Sequence, residues 1–97
     1  MRTIERTTQF KRDYKRISKG PYRDVLADDF VAIITALAED QPLDRRHHDH
    51  PLSGEWNDHR DCHIRPDLVL IYRKPDAQRL QLVRLGSHAE LSLSRRS

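Results

Sequence analysis

Apolar side chains change their spacing halfway along this chain, from a helical repeat to an alternating one. In the first half Phe10, Tyr14 and Ile17 fall at i, i+4 and i+7, which brings them onto one helix face. Thr7 or Thr8 supplies an N-cap before them, and Gly20-Pro21 stops the helix after them. A second helix is predicted over residues 23–39, with Leu26, Phe30, Ile33 and Leu37 along one stripe that Val31 and Ile34 widen. Gln41-Pro42 ends it. Ahead of both helices, residues 2–7 read as a brief edge strand around Ile4.

From His59 onward the period is two. Asp61, His63 and Arg65 alternate with Arg60, Cys62 and Ile64, so one strand face is titratable and the other partly apolar. Pro66-Asp67 makes a turn. Residues 68–72 are apolar on both faces and predict a central strand. A turn at 74–77 leads into a third strand over 79–85, on which Leu80 and Leu82 face the same way. Arg84 shares their parity, so either a bulge intervenes near Leu85-Gly86 or that arginine emerges at the core's edge. Strand, helix, helix and a three-strand meander make an α+β, two-layer fold: a helical hairpin on a mainly antiparallel sheet, one domain over residues 1–97.

At 97 residues, 36% of them hydrophobic and 34% charged, the chain has enough apolar mass for one core layer under a charged surface, which argues against disorder. Cys62 is the sole cysteine and cannot form an intramolecular disulfide, which points to a reducing compartment. No apolar run is long enough for a bilayer and the polar start is not a secretory signal, so a cytoplasmic protein without membrane contact is expected. Charge is segregated. Residues 1–23 hold eight basic side chains (Arg2, Arg6, Lys11, Arg12, Lys15, Arg16, Lys19, Arg23) against Glu5 and Asp13. Residues 24–44 hold six acids and no Lys or Arg. The helix face of Lys11, Arg12, Lys15 and Arg16 suits the phosphates of a nucleic acid; the plainer alternative is a solvated face.

The titratable groups concentrate between Asp49 and Asp67. His50 falls in the predicted loop before the first meander strand, Asp61 and His63 on one face of that strand, and Asp67 at the turn leaving it. His88 follows the last strand. Strands in a meander lie ~4.8 Å apart, so these groups can converge on one surface. Imidazoles beside a carboxylate and arginines suit RNA cleavage, in which the ribose 2′-hydroxyl is the nucleophile and two protons must move near neutral pH. Arg60, Arg65 or Arg84 can offset charge on the phosphate. No glycine-rich phosphate loop or dinucleotide motif is present, and no cofactor is called for.

A metal site built from His47-His48-Asp49-His50, His59 and His63 is the rival reading, but its spacing fits no familiar zinc module. His47, His48 and His59 read as exposed polar residues, Trp56 and Tyr72 as packing, and Cys62 as facing the core.

Three blocks carry a resemblance. Residues 50–56 (His-Pro-Leu-Ser-Gly-Glu-Trp), 60–72 (Arg-Asp-Cys-His-Ile-Arg-Pro-Asp-Leu-Val-Leu-Ile-Tyr) and 84–91 (Arg-Leu-Gly-Ser-His-Ala-Glu-Leu) resemble, in order and spacing, the YafQ-like branch of the RelE/ParE toxin superfamily. The resemblance covers nearly the whole chain. It implies a RelE-like fold and a type II toxin that is a ribosome-dependent endoribonuclease on messenger RNA. It also implies a cognate antitoxin, often a ribbon-helix-helix protein, that neutralises the toxin and binds the operator DNA. A non-catalytic ParE-like or corepressor member of the same superfamily is the alternative. Carried over by motif position, the catalytic set is His50, His63, Asp67 and His88, with Asp61, Arg60 and Arg84 in support. His50 or Asp67 then takes the 2′-hydroxyl proton, and His88 or His63 protonates the leaving oxygen. In one respect this chain departs from the pattern. Family members carry an aromatic residue a few positions after the last histidine, and residues 89–97 here contain none. Arg95-Arg96 are candidates for a compensating phosphate contact.

Overall fold

A computed structural model describes residues 1–91. Its elements in chain order are β1 (Thr3–Arg6), α1 (Thr8–Ile17), α2 (Arg23–Ala27), α3 (Asp29–Ala38), β2 (His50–Pro51), β3 (Arg60–Arg65), β4 (Leu68–Asp76) and β5 (Arg79–Gly86). Short 3₁₀ turns at Arg45–His47 and Gly54–Trp56 flank β2. The strands form one five-stranded sheet in the order β1-β5-β4-β3-β2, with β1 parallel to β5 and every other pair antiparallel. The expected α+β layering, the edge strand and the meander are all present.

Thr7 is the α1 N-cap, its hydroxyl accepting from the Phe10 amide at 3.0 Å. Phe10 is buried, and its ring lies 6.1 Å from that of Phe30 on α3, with Tyr14 5.6 Å from the same ring. Aromatic packing therefore joins the helices above the sheet. The main core lies beneath them: Leu26, Ile33 and Leu37 meet Cys62, Leu70, Tyr72, Leu80, Leu82 and Leu85. Val69, Ile71 and Leu91 form a smaller cluster, packed by Leu52, Trp56 and Val83.

Four expectations are corrected. The long second helix is two helices, because Asp28 leaves helical geometry (φ −128°, ψ −84°) and the chain restarts at Asp29. That restart selects Phe30, Ile33, Ile34, Leu37 and Ala38 as the buried stripe, while Val31 is 53% exposed. The β4 strand runs on through Pro75 to Asp76, since the ladder pairs Arg73 with Gln81 and then Asp76 with Arg79, so Pro75 occupies an irregularity where its missing N–H costs no ladder bond. Of the two alternatives for Arg84, a bulge holds, but earlier than Leu85-Gly86. Tyr72 pairs with Leu82 and Ile71 with Arg84, leaving Val83 extra, which returns Leu85 to the face of Leu82. Finally, His50 is not in a loop but on β2. Among the described residues no helix is long and apolar enough to cross a membrane.

Candidate active site

Although β2 has only two residues, it fixes the first half of the site. His50 pairs with Asp61 and Pro51 with Arg60, and the Leu52 amide donates to the His59 carbonyl at 2.9 Å. The cross-strand pair sets His50 Nδ1 3.0 Å from Asp61 Oδ1. The same nitrogen lies 2.7 Å from the His48 carbonyl. Two oxygen acceptors around Nδ1 require its proton there, which leaves Nε2 of neutral His50 with a lone pair.

The second half is an imidazole pair. His63 shares the strand parity of Asp61, and its ring centroid is 4.7 Å from that of His88. His88 stands in a turn built by its own sequence. The Ser87 amide donates to Glu90 Oε1 at 2.9 Å and the Glu90 amide donates to Ser87 Oγ at 3.1 Å, a reciprocal capping box. Leu91, 2% exposed, then packs on Val69 and Ile71, and Arg16 of α1 holds Glu90 at 3.0 Å. The Ser-x-x-Glu spacing at 87–90 was available in the sequence as a sign of this turn. His48 is exposed, as expected, but it borders the site. Its backbone is left-handed (φ 46°), its carbonyl meets His50, and its ring stands edge-on to His63 at 5.4 Å.

Asp61 is 1% exposed, and neither carboxylate oxygen receives a well-directed hydrogen bond among the described residues; the proton of His50 Nδ1 points to the His48 carbonyl instead. Burial raises its pKa, and the nearby His50, His63 and His88 oppose that shift. A raised carboxyl pKa gives stability that is present at low pH and lost as pH rises through the shifted value. In its ionised form Asp61 is therefore a cost to the fold. Asp61→Asn is expected to raise the melting temperature by a few degrees, on the order of 1 kcal/mol, while lowering activity because His50 loses its counter-charge. Thermal melts check this, and a lower melting temperature would show the carboxylate to be net stabilising.

His63 has its pKa lowered, first by burial and then by repulsion from His88, with Asp61 pulling the other way. Its imidazole is thus neutral at physiological pH, and its share of stability is lost as pH falls through the ordinary histidine range, where the unfolded chain takes up the proton. In an NMR titration the His63 midpoint should lie below the ordinary value, move up in His88→Ala and move further down in Asp61→Asn. A midpoint unmoved by His88→Ala would mean that the two rings do not interact.

The remaining candidates lie elsewhere. Asp67, exposed at the β3–β4 turn, accepts a hydrogen bond from the Tyr22 hydroxyl, and that bond raises the tyrosine's pKa. Its partner is therefore Tyr22 and not an imidazole. Arg60 has the parity of Cys62 and binds Asp49 at 3.2 Å, to which the Tyr72 hydroxyl also donates at 2.5 Å. Arg84 binds the buried Asp13 of α1 at 2.7 Å. Of the basic helix face, Arg16 is engaged by Asp13 and Glu90, whereas Lys11, Arg12 and Lys15 are exposed and make no ion pair among the described residues. His47 Nδ1 lies 2.7 Å from the His63 carbonyl, and His59 stands edge-on to Trp56. Tyr72 and Cys62 are core residues, and burial pushes the Cys62 thiol pKa up, away from nucleophilic use. Among the described residues no three His, Cys, Asp or Glu side chains are grouped to hold a metal ion. Arg95-Arg96 lie outside the described residues.

Residues 2–93 match the family described as "Bacterial toxin of type II toxin-antitoxin system, YafQ". The mRNA interferase toxin YafQ of Escherichia coli strain K12 is 36% identical over 91 residues, covering 93% of this chain and 95% of that protein. Among solved structures, a copper-bound mutant toxin from Helicobacter pylori aligns with a TM-score of 0.86 at 35% identity, over 94% of this chain and 99% of that one. YafQ in the Escherichia coli DinJ-YafQ complex aligns at 0.79 and 35% identity, over 94% of this chain and 98% of that one.

Proposed function

Because this chain belongs to the YafQ family of bacterial type II toxins, we propose that it is a one-domain, ribosome-dependent endoribonuclease that cleaves messenger RNA by side-chain acid–base chemistry. The observation that carries this reading is an imidazole set beside a buried carboxylate, together with two imidazoles in ring contact. His50 Nε2 accepts the proton of the ribose 2′-hydroxyl, and Asp61 stabilises the imidazolium that forms. The 2′-oxygen bonds to phosphorus as the bond to the 5′-oxygen breaks. His88 gives its proton to that leaving oxygen, and the neutral His63 beside it orients the ring and hydrogen-bonds the phosphate. Asp67 joins the set on its motif position, with Tyr22 fixing its carboxylate. Arg60 and Arg84 act through the ion pairs that hold β3 and β5 in register with the site.

The exposed cations Lys11, Arg12 and Lys15 are the surface for ribosomal RNA. A cognate antitoxin, as DinJ accompanies YafQ in the Escherichia coli complex, neutralises the protein in the cytoplasm and, as a ribbon-helix-helix protein, brings it to operator DNA. Primer-extension mapping in a translating extract tests the reaction: discrete cuts within reading frames, lost when ribosomes are omitted and unchanged by a chelator selective for transition metals that leaves the ribosome's Mg²⁺ in place. Growth arrest with intact mRNA would favour the non-catalytic, antitoxin-binding alternative. Cleavage abolished by chelation would instead assign the histidines to a metal.

A further inference from the structure

The β2 strand pairs only with Arg60 and Asp61, so the far end of β3 has an edge that β2 leaves open. The 3₁₀ turn Arg45–His47 lies against that edge through the contact of His47 Nδ1 with the His63 carbonyl. Between them is a cleft of about 350 Å³ lined by Asp29, Arg46, His47, His63, Arg65 and Pro66, a volume in the range of small-ligand sites. His63 thus belongs both to this cleft and to the imidazole pair.

Cations outnumber anions on its walls. Arg65 is committed to Asp29 at 2.8 Å, whereas Arg46 makes no side-chain ion pair among the described residues. The Arg46 backbone is nonetheless fixed, because its amide donates to the Asp44 carboxylate at 3.0 Å. The turn and the residue after it read Arg45-Arg46-His47-His48, with no acid among them. A lone guanidinium on a pinned turn, beside a group that handles a phosphate, is matched to the next phosphate along a strand.

We propose that this cleft is a nucleotide subsite of the substrate strand: Arg46 binds the phosphate adjoining the scissile one, and Arg65, held by Asp29, adds a second positive charge. The substrate class, single-stranded RNA, rests on the endoribonuclease reading, but the charge geometry of the cleft does not. Single-stranded RNA carries a phosphate at every nucleotide, so a strand with its scissile linkage at His63 and His88 brings a neighbouring phosphate past the cleft.

The test uses a short, labelled single-stranded oligoribonucleotide with a 2′-deoxy residue at the scissile position, so that binding is read without cleavage. By fluorescence anisotropy Arg46→Ala should bind about tenfold more weakly, and its slope of log affinity against log salt should be shallower by about 0.7. Arg46→Lys should fall between, keeping the charge but losing the fork. An uncharged methylphosphonate at the adjoining linkage should weaken the wild type by a similar factor and Arg46→Ala no further. Unchanged binding by Arg46→Ala, or losses from the variant and the methylphosphonate that simply add, overturns the subsite. The matching all-ribose strand on ribosomes tests cleavage separately. Arg46-dependent binding without any cut would remove the catalytic reading and leave the subsite standing.

Discussion

His88→Ala should reduce RNA cleavage by about 10²- to 10⁴-fold, the usual contribution of a positioned general acid, and should abolish growth arrest on expression. The fold should survive, because the turn around residue 88 is held by Ser87, Glu90 and Leu91 and not by the imidazole. His63→Ala should cost a comparable factor. Combined, the two losses should be far from additive, since the rings are 4.7 Å apart and His63 is proposed to orient the ring of His88. Single-turnover rates for the two single variants and the double variant measure this coupling. Losses that multiply would make His63 and His88 independent contributors and remove the assignment of orientation to His63. The test also separates the pair from His50, which lies beside Asp61; a His50 variant combined with His88→Ala should alter both limbs of the pH–rate profile. A wild-type level of cleavage in His88→Ala would end the acid–base proposal.

Long-period patterns in the sequence carried the architecture. Stripes at helical spacing and the alternation from Arg60 to Arg65 placed the helices and the meander because each reports a whole buried face. Features of one or two residues lay below that resolution. The β2 strand is too short for any period and contains Pro51, so His50 looked like a loop residue, although its pairing with Asp61 is what builds the site. The bulge at Val83 is one extra residue on one strand, visible beforehand only as the misplaced parity of Arg84. His48 gave no sign of its role, because neighbouring histidines differ only through backbone geometry, here the left-handed turn at residue 48. Motif spacing did select His50, His63 and His88, which the structure brings around Asp61. It also selected Asp67 and Arg60, whose contacts in this chain are to Tyr22 and Asp49.

Asp13 is the residue the sequence concealed most completely, since it interrupts a row of lysines and arginines and looks like part of a solvated face. It is 1% exposed, and its carboxylate accepts from Arg84 Nε at 2.7 Å and from the Leu85 amide at 3.0 Å. Asp13→Ala should destabilise the protein by about 3–5 kcal/mol, because it leaves a guanidinium without its counter-ion and a buried N–H without an acceptor. Denaturant titration reads this directly. Arg84→Ala should cost less: Asp13 would keep the Leu85 amide and, at 3.4 Å, Arg16. If charge imbalance is the cause, replacing both Asp13 and Arg84 by leucine should recover much of the loss, since apolar pairs often substitute for buried ion pairs at little cost. A double variant as unstable as Asp13→Ala would place the whole effect on the Leu85 amide. The same carboxylate reaches the site by a second route, through Arg16 to Glu90 and so to the turn that carries His88. Asp13→Asn keeps an acceptor for Leu85 but weakens the hold on both arginines, so it should lose more kcat than stability. Equal proportional losses of the two would make Asp13 a purely structural anchor of β5.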